Sequence, residues 1–328
     1  MSPTLAELTE AELLNRLARF APPDQLSDDT ATLPADPRPL LINTDVLADG
    51  IHFSDATTTA MDVGWRAVAA NLSDLAASGA VAIEGITVAL VAPGCTSWDW
   101  VDGVYQGIRA ALDQYGGILL GGDCSRGEQR LLSITALGRL GPLRLHRNAA
   151  RPGDVLVTSG PHGLSRLGLA LLQDDPSLRD IALNPSLRDK AIAKHRHPTP
   201  RLDEVQQLLA CKPEHLPWRA GGTDSSDGLL SAVAGLCSSS GCGAVLQKEQ
   251  LPVAEGWPEG SPWTDWCLAG GEDFELVLCL PEAWADVWQR CVPESERIGW
   301  INAEAGVIRW AHNNAPLDAK GFDHFCQT

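Results

Sequence analysis

Short apolar runs of strand length alternate with segments of helical periodicity along most of this 328-residue chain. The strand-like runs cover 39–45, 83–92, 117–123, 131–140 and 154–160. Helix-like segments cover 4–19, 62–78, 97–115 and 163–173, and a further helix is predicted after residue 228. A mixture of strands and helices in both halves argues against a helix bundle and against a β-sandwich. It predicts an α/β (α+β) fold in which mixed sheets are flanked by helices.

The segment 141–153 is rich in polar and turn-forming residues, and we predict the domain boundary there. The first domain would cover 1–145 and the second 146–328. Residues 20–37 contain prolines and aspartates, and residues 174–200 are polar and interrupted by prolines, so both are predicted to be irregular. The apolar run 266–280 is predicted to be a strand broken by a double glycine.

Charge and cysteine content narrow the possible function. The formal net charge is −17, and no run of lysine or arginine is present. Nucleic-acid-binding proteins normally present a basic face to phosphates, so we expect no nucleic-acid partner. Nine cysteines without a C-x-x-C pair predict reduced thiols and no zinc site. The acidic N-terminal segment does not resemble a signal peptide, and no stretch approaches a membrane span of roughly 18 apolar residues. We therefore expect a cytoplasmic protein with no membrane partner.

Acidic residues follow glycine or small polar residues at six places in the chain. These clusters are Ser27-Asp28-Asp29, Asn43-Thr44-Asp45, Asn71-Leu72-Ser73-Asp74, Gly121-Gly122-Asp123, Asp224-Ser225-Ser226-Asp227-Gly228 and Gly270-Gly271-Glu272-Asp273. Mg²⁺ prefers oxygen ligands and is usually held by one or two carboxylates together with substrate phosphates. Each aspartate alone is more simply explained as a turn residue or a helix cap. Six clusters in one chain favour several Mg²⁺ ions around a polyphosphate.

Four of these carboxylates allow a more specific prediction. The run 39–45 is predicted to be a buried strand that delivers Asp45 at its end. Asp74 lies within an otherwise apolar helix, where an unpaired carboxylate is costly to bury. A bound cation would compensate that cost, and a hydrogen-bonded structural aspartate is the alternative. Asp224 precedes a predicted helix, so it could serve as an N-cap instead of a metal ligand, as could Asp227.

Basic residues near these clusters are candidates for substrate contacts. Arg126 and Arg147 could bind phosphate through two parallel hydrogen bonds, although single arginines more often form surface ion pairs. His52 follows the Asp45 strand and could contact substrate or be structural. The chain contains no G-x-x-x-x-G-K-[ST] loop and no protein-kinase motif. Phosphoryl transfer would therefore depend on metal ions and on the positioning of both substrates.

These clusters, in this order, resemble those of the thiamine-monophosphate kinases. That family belongs to an ATP-binding superfamily with aminoimidazole ribonucleotide synthetase, selenophosphate synthetase and the hydrogenase-maturation dehydratase. The matching segments span nearly the whole chain and include DDTATL (28–33), NTDVLADGIHF (43–53), VGWRAVAANLSDLAASGA (63–80), YGGILLGGDCSRG (115–127), HRNAARPGD (146–154), DSSDGL (224–229), LAGGEDFEL (268–276) and KGFDHF (320–325). The resemblance implies a two-domain subunit that forms a homodimer, with an active-site cleft between the domains. It also implies Mg²⁺-dependent transfer of the ATP γ-phosphoryl group to thiamine monophosphate.

The resemblance further implies roles for individual residues. Implied Mg²⁺ ligands are Asp29, Asn43, Thr44, Asp45, Asp74, Asp123, Asp224 and Asp227, of which Asp45, Asp74, Asp123 and Asp227 would take part in catalysis. Implied nucleotide contacts are Tyr105, Gly122, Asp123, Arg147 and Ser226. Implied contacts to the thiamine moiety are His52, Glu272 and Phe322. The chain departs from the usual motifs at Ser27, Asn43 and Cys124, and none of these changes removes a matched carboxylate.

Two further hypotheses compete with a kinase. One is another member of the superfamily, such as a ligase that forms a phosphorylated intermediate and releases ADP and phosphate. The other is a nucleotide- or metabolite-binding protein without activity, which has no need to keep so many carboxylates. For the kinase we expect direct in-line transfer without a phosphoenzyme, because such transfer requires positioning and charge neutralisation more than covalent chemistry.

Overall fold

The computed structural model describes residues 2–318, which form two compact units. The first contains the chain up to Leu75 together with Ala80–Leu140, and the second contains Ala76–Gly79 and the described chain from Gly141 onward. Each unit combines one mixed β-sheet with helices, which confirms the predicted α/β (α+β) class. The predicted boundary at 145/146 lies close to this division, and the roles assigned to the two domains stay predictions.

The first unit contains a four-stranded sheet and three α-helices. Its strands are β1 (Leu40–Ala48), β2 (Ala80–Ala92), β3 (Ile118–Arg126) and β4 (Leu131–Leu140), and its helices are α1 (Glu10–Leu17), α2 (Ala60–Ala77) and α3 (Trp98–Tyr115). The strand order is β1-β4-β2-β3, so β1 and β3 are the edge strands. Strand β4 runs antiparallel to both β1 and β2, and β2 runs parallel to β3.

Close packing of α2 against α3 depends on two glycines. A Cβ atom at Gly64 of α2 would lie 1.9 Å from the carbonyl oxygen of Val104 in α3. A Cβ atom at Gly107 of α3 would lie 2.0 Å from the carbonyl oxygen of Met61. Any larger residue would force the helices apart, because such contacts are far shorter than a van der Waals distance. Val88 and Ile134, which lie on the same face of the sheet, are completely buried.

The second unit contains a six-stranded sheet and six α-helices. Its strands are β5 (Val155–Thr158), β6 (Gly221–Asp224), β7 (Gly243–Leu246), β8 (Leu276–Leu280), β9 (Glu296–Asn302) and β10 (Ile308–Trp310), in the order β10-β7-β9-β5-β8-β6. Only the β10–β7 pair is parallel among these neighbours. Its helices are α4 (Leu164–Leu172), α5 (Pro185–Arg196), α6 (Leu202–Ala210), α7 (Leu229–Ser240), α8 (Ser261–Ala269) and α9 (Glu282–Cys291).

Helix α9 packs on α6 through two buried tryptophans. The indole N–H of Trp284 donates to the carbonyl of Leu208 at 3.0 Å, and that of Trp288 donates to the carbonyl of Glu204 at 3.2 Å. Both indoles therefore bury a large apolar ring and still satisfy their polar atom. No helix within residues 2–318 is long and apolar enough to cross a lipid bilayer.

Two predictions about the first unit are wrong in their boundaries. The strand predicted over 39–45 continues to Ala48, so Asp45 lies inside β1 and not at its end. The helix predicted over 4–19 is interrupted, because Thr9 caps α1 by accepting the backbone N–H of Glu12 at 3.3 Å. A short 3₁₀ turn over Leu5–Glu7 precedes that cap.

Two predictions about the second unit are also wrong. The segment 174–200 contains α5, whose start is fixed by Asn184, which accepts the N–H of Ser186, and by Pro185 in the first turn. The run 266–280 is not one broken strand, because α8 extends to Ala269 and β8 begins only at Leu276.

Candidate active site

A cluster of amides and carboxylates joins β1 to α2 in the first unit. Asn43 Nδ2 donates to Asp74 Oδ2 at 3.1 Å and to Asn71 Oδ1 at 3.2 Å. Asn71 Oδ1 also accepts the backbone N–H of Asp45 at 3.2 Å. Asn71 is completely buried, and its Nδ2 donates to the carbonyl of Ala67 at 2.9 Å within α2. We call Asn43, Asp45, Asn71 and Asp74 the amide cluster.

The side-chain carbonyl oxygen of Asn43 is the unsatisfied atom of the amide cluster. It is shielded from solvent and accepts no hydrogen bond from residues 2–318. A buried acceptor without a donor costs free energy, so such an atom in a folded protein points to a missing ligand or water. Amide and carboxylate oxygens are the ligands that Mg²⁺ prefers. The predicted ligands Asn43, Asp45 and Asp74 therefore fit a magnesium ion in their chemistry.

The described part of the chain holds no group of three or more His, Cys, Asp or Glu side chains arranged around a metal position. Mg²⁺ does not require such a cage, because it keeps several waters and uses one or two carboxylates plus substrate phosphates. Asp29, another predicted ligand, lies in an exposed loop, where its N–H donates to Asp28 Oδ1 at 2.8 Å.

Asp123 lies on the opposite face of the sheet from the amide cluster. The strand register places Asp123 beside Ala89 and Ser133, whereas Asp45 is beside Ile134. Adjacent strands are about 4.8 Å apart, so the three spacings between β1 and β3 amount to roughly 14 Å. Within one chain, Asp45 and Asp123 therefore cannot ligate the same ion.

Thr44 shares the face that carries Asp123, which we call the outer face. Its Oγ1 lies 2.8 Å from Thr135 Oγ1, and Asp123 Oδ2 accepts a hydrogen bond from Ser125 Oγ at 3.2 Å. Successive side chains of a strand alternate between faces. The Thr44 hydroxyl is consequently directed away from the side chains of Asn43 and Asp45, although the three residues are consecutive.

The environment of Asp123 includes a glycine and a thiol. A Cβ atom at Gly122 would lie 2.1 Å from the carbonyl oxygen of Val88, so only glycine fits there. Burial raises the pKa of the Cys124 thiol to about 11, and the neighbouring Asp123 and Glu10 carboxylates add to the effect. The thiol is therefore neutral near pH 7 and a poor ligand for Mg²⁺.

Tyr105 and His52 are both held by the fold of the first unit. Tyr105 is 3% exposed within α3, its ring centroid lies 5.5 Å from that of Phe20, and burial raises the pKa of its phenol. His52 lies in the turn after β1, where its Nδ1 accepts the N–H of Ala48 at 3.1 Å. A ring nitrogen that accepts carries no proton, so the proton of a neutral His52 is on Nε2. Their contacts to nucleotide and substrate stay predictions.

In the second unit, the predicted ligands Asp224 and Asp227 lie between β6 and α7. Asp224 is the last residue of β6 and is 5% exposed, and its Oδ1 accepts a hydrogen bond from Ser226 Oγ at 3.3 Å. Asp227 is exposed. The N-cap of α7 is Gly228, so the alternative that either aspartate caps this helix is wrong.

Arg147 lies beside the end of β6. Its Nε donates to Thr223 Oγ1 at 2.9 Å, which holds the guanidinium next to the strand that ends in Asp224. The remaining guanidinium nitrogens are well suited to a phosphate, because a planar fork can donate two parallel hydrogen bonds. In the second unit, Arg147 is thus hydrogen-bonded to the residue before Asp224, and Asp224 is hydrogen-bonded to Ser226. The roles of these three residues stay predictions.

The loop before β8 holds Glu272 in an unfavourable backbone conformation. Glu272 has φ +65° and Phe274 has φ +52°, and both values are costly for residues other than glycine. The N–H of Glu272 donates to the carbonyl of Ser226 at 2.7 Å, and its Oε2 lies 4.0 Å from His195 Nδ1. The loop thus fixes the backbone of Glu272 against the segment that follows Asp224, while its side chain stays partly exposed.

A buried charge network lies next to this loop and was not predicted from the sequence. The Glu275 carboxylate contacts Lys194 Nζ at 2.5 Å and also binds the Arg201 guanidinium and the Ser159 hydroxyl. Burial alone would raise the pKa of Glu275, but the Lys194 and Arg201 cations outweigh it and lower the pKa to about 2. Ser225 Oγ accepts the N–H of Glu275 at 3.1 Å, which ties the network to β6. Arg201 ends the run RHPTPR (196–201), a further segment that resembles the kinase family, and this run was the available signal.

Two other buried groups have perturbed pKa values. Burial lowers the pKa of His162 to about 4, and its Nε2 lies 3.0 Å from Ser225 Oγ. Burial raises the pKa of Asp273 to about 7, although its carboxylate accepts the N–H groups of Gly163 and Ser165 at the start of α4. Asp273 belongs to the loop, and its carboxylate joins the loop to the start of α4. Phe322, the third predicted thiamine contact, lies outside the described residues.

Comparison with known proteins gives a consistent family. Residues 27–140 match the family model for the AIR synthase related protein, N-terminal domain. The chain is 51% identical over 324 residues to thiamine-monophosphate kinase of Prochlorococcus marinus, covering 98% of this chain and 97% of that protein. It is 43% identical to the enzyme of Synechococcus elongatus, with 98% of each chain covered. A solved structure of "AaThiL complexed with AMPPCP and TMP" has a TM-score of 0.75, 27% identity and 98% coverage of both chains.

Proposed function

The chain belongs to the family of thiamine-monophosphate kinases, and on that premise we propose that its carboxylate and amide oxygens would hold Mg²⁺ and that the phosphoryl group is transferred directly, without a covalent enzyme intermediate. The activity is transfer of the γ-phosphoryl group of ATP to thiamine monophosphate, which yields thiamine diphosphate and ADP. The reaction serves thiamine diphosphate biosynthesis. High identity over nearly the whole chain is the observation that carries this activity.

The amide cluster is the proposed Mg²⁺ position of the first unit. The buried, unsatisfied oxygen of Asn43 and the carboxylates of Asp45 and Asp74 supply hard oxygen donors. When bound, Mg²⁺ neutralises phosphate charge and brings the reacting oxygens together. Because Asp123 lies on the other face, we assign it to a separate ion. Further ligands are proposed at Asp29, Thr44, Asp224 and Asp227.

We propose nucleotide contacts for residues of the first unit and, separately, for residues of the second. Arg147, held at Nε by Thr223, would donate its terminal nitrogens to phosphate oxygens. Ser226, whose hydroxyl donates to Asp224 Oδ1, would donate that hydroxyl to a phosphate oxygen instead. Gly122 would let the backbone of β3 approach a phosphate, and Tyr105 is the remaining proposed contact.

The acceptor side of the reaction is proposed to depend on Glu272, His52 and Phe322. Glu272 carries a carboxylate on a fixed backbone, and a neutral His52 carries its proton on Nε2. The acceptor is a phosphate monoester, which is largely ionised at pH 7, so its oxygen can attack without a strong general base. This is consistent with the neutral, buried state of His162, which is unsuited to proton transfer with solvent.

A product assay tests the activity directly. Purified protein would be incubated with γ-labelled ATP, Mg²⁺ and thiamine monophosphate, and the products separated. We expect label in thiamine diphosphate, with ADP formed in equal amount and no free phosphate. Free labelled phosphate with ADP would favour the ligase hypothesis, and absence of turnover would favour a binding protein.

Matched variants test the Mg²⁺ proposal within the same assay. Asp74→Ala should lower turnover by at least 100-fold at any Mg²⁺ concentration, because a carboxylate of the amide cluster is lost. Asp113→Ala, an exposed aspartate on α3, should behave like the wild type. Wild-type turnover by the Asp74 variant would refute the assignment, and a phosphoenzyme trapped with labelled ATP would refute direct transfer.

The oligomeric state and the cellular location of the protein are also part of the proposal. We propose a homodimer through the outer face, because Leu40, Ile42 and Val46 are 44%, 65% and 43% exposed at alternate positions of β1. We also propose a cytoplasmic location, because the substrate ATP is produced and used there.

A further inference from the structure

We propose that Asn71 is a positioning residue that orients the Mg²⁺ ligands of the first unit. The inference rests on the proposed Mg²⁺ role of Asn43, Asp45 and Asp74, and it assigns a function to a residue to which the sequence motifs gave none. Asn71 is completely buried in a largely apolar helix. Burying a primary amide is costly unless its polar atoms are hydrogen-bonded.

The side-chain oxygen of Asn71 accepts hydrogen bonds from two of the proposed ligands. Its Oδ1 accepts both the side-chain N–H of Asn43 and the backbone N–H of Asp45, each at 3.2 Å. Its Nδ2 donates to the carbonyl of Ala67, one turn earlier in α2, which fixes the direction of the amide. One oxygen atom on a rigid helix therefore sets both the backbone of Asp45 and the side chain of Asn43.

The same contact decides which end of the Asn43 amide is available to a cation. Nδ2 of Asn43 faces two oxygens, Asn71 Oδ1 and Asp74 Oδ2. A flipped amide would place the Asn43 oxygen against both of these acceptors, which is unfavourable. The Asn43 carbonyl oxygen is consequently held on the other side, buried and without a donor from residues 2–318. Without the Asn71 acceptor, one of the two constraints on that orientation disappears.

The experiment measures metal binding by the full-length protein, independently of turnover. Mn²⁺ would be titrated and the free ion followed by electron paramagnetic resonance, for the wild type and for Asn71→Leu, which has similar size and no acceptor. We expect at least a tenfold increase in the Mn²⁺ dissociation constant. In kinetics, the Mg²⁺ concentration for half-maximal rate should rise similarly, while the KM for thiamine monophosphate stays within twofold of wild type.

The controls separate positioning from loss of stability. Leu72→Ala alters the next residue of α2, which is also completely buried, and should lower stability without changing the Mn²⁺ dissociation constant. Asn71→Ser covers the case in which Asn71→Leu does not fold, because serine is small and polar but too short to reach Asn43. In the double variant Asn43→Ala/Asn71→Leu, the fold-increase in the Mn²⁺ dissociation constant should be smaller than the product of the increases in the two single variants. The reason is that both substitutions remove the same contact.

The outcomes are distinguishable from failure of the proposed function. Wild-type Mn²⁺ affinity in the Asn71 variants, or independent effects in the double variant, would overturn the positioning role. A wild-type protein that bound no Mn²⁺, either alone or with ADP present, would overturn the Mg²⁺ role of the amide cluster itself.

Discussion

At the scale of single residues, two completely buried groups of the second unit titrate in opposite directions. The pKa of His162 falls to about 4 from an ordinary 6.5, and the pKa of Asp273 rises to about 7 from an ordinary 3.8. Between pH 6.5 and 4, the unfolded chain binds a proton at His162 that the folded chain does not bind. Between pH 3.8 and 7, the folded chain keeps a proton on Asp273 that the unfolded chain loses. His162 therefore favours folding as pH rises, and Asp273 disfavours it.

These opposed effects predict how two variants respond to pH. In His162→Gln, the free energy of unfolding should decrease relative to wild type as pH rises from 4.5 to 6.5, by up to about 1.4 kcal/mol per pH unit. In Asp273→Asn, it should increase relative to wild type over the same range. Urea unfolding at four pH values measures both. Curves parallel to that of the wild type would show that neither group changes its protonation on folding.

Individual residues also show how much of the candidate site can be predicted from the sequence. Asp74 was singled out because it interrupts an apolar helix, and the same argument applies to Asn71, which is the more buried residue. The sequence places Asn71 in the same cluster as Asp74 but indicates no role for it, because the sequence alone does not show which neighbours a buried amide contacts. Glu275 was missed for a related reason, because its partners Lys194 and Arg201 lie more than seventy residues away.

At the scale of secondary-structure elements, the contact between α2 and α3 depends on the absence of side chains. Gly64→Ala would place a methyl group 1.9 Å from the carbonyl oxygen of Val104. We expect the variant to lose about 1–3 kcal/mol of unfolding free energy, as is usual for overpacked sites. Urea unfolding measures this loss.

Gly235→Ala is the matched control, because Gly235 is also helical. The nearest atom to its added methyl group is Arg147 Cδ at 3.9 Å, which is ordinary contact. That variant should be unchanged or more stable by up to about 1 kcal/mol, since alanine favours a helix over glycine. Equal effects of the two substitutions would contradict the packing argument.

The elements that the sequence predicts best are those with long apolar runs. Strands β2 and β4 follow their predicted ranges closely, because thirteen and ten residues leave little ambiguity. Strands β6, β7 and β10 have only three or four residues, which periodicity cannot detect. The order of the strands could not be predicted from the sequence either. Alternation shows that the side chains of Asp45 and Thr44 lie on opposite faces, but it does not show that β3 and β1 are at opposite edges of the sheet.

At the scale of the whole molecule, the exposed apolar side chains of the outer face predict the oligomeric state. Ile42→Lys places a charge at the most exposed of them and should convert a dimer to a monomer at micromolar concentration, measured by sedimentation velocity. Val253→Lys, at a residue of the second unit that is 41% exposed, is the control and should leave the mass unchanged. A monomeric wild type, or an Ile42→Lys variant that stays dimeric, would exclude this face as the interface.

Strand β5 has a consequence for synthesis on the ribosome. It lies between β8 and β9, and Val155 pairs with Leu280 on one side and with Trp300 on the other. About 120 residues must be translated after β5 before its first partner strand exists, which takes roughly 6–24 s at 5–20 residues per second. During that interval, four residues that are buried in the folded protein can be contacted by chaperones or by other nascent chains. The yield of folded protein should therefore depend on the rate of elongation between residues 159 and 302.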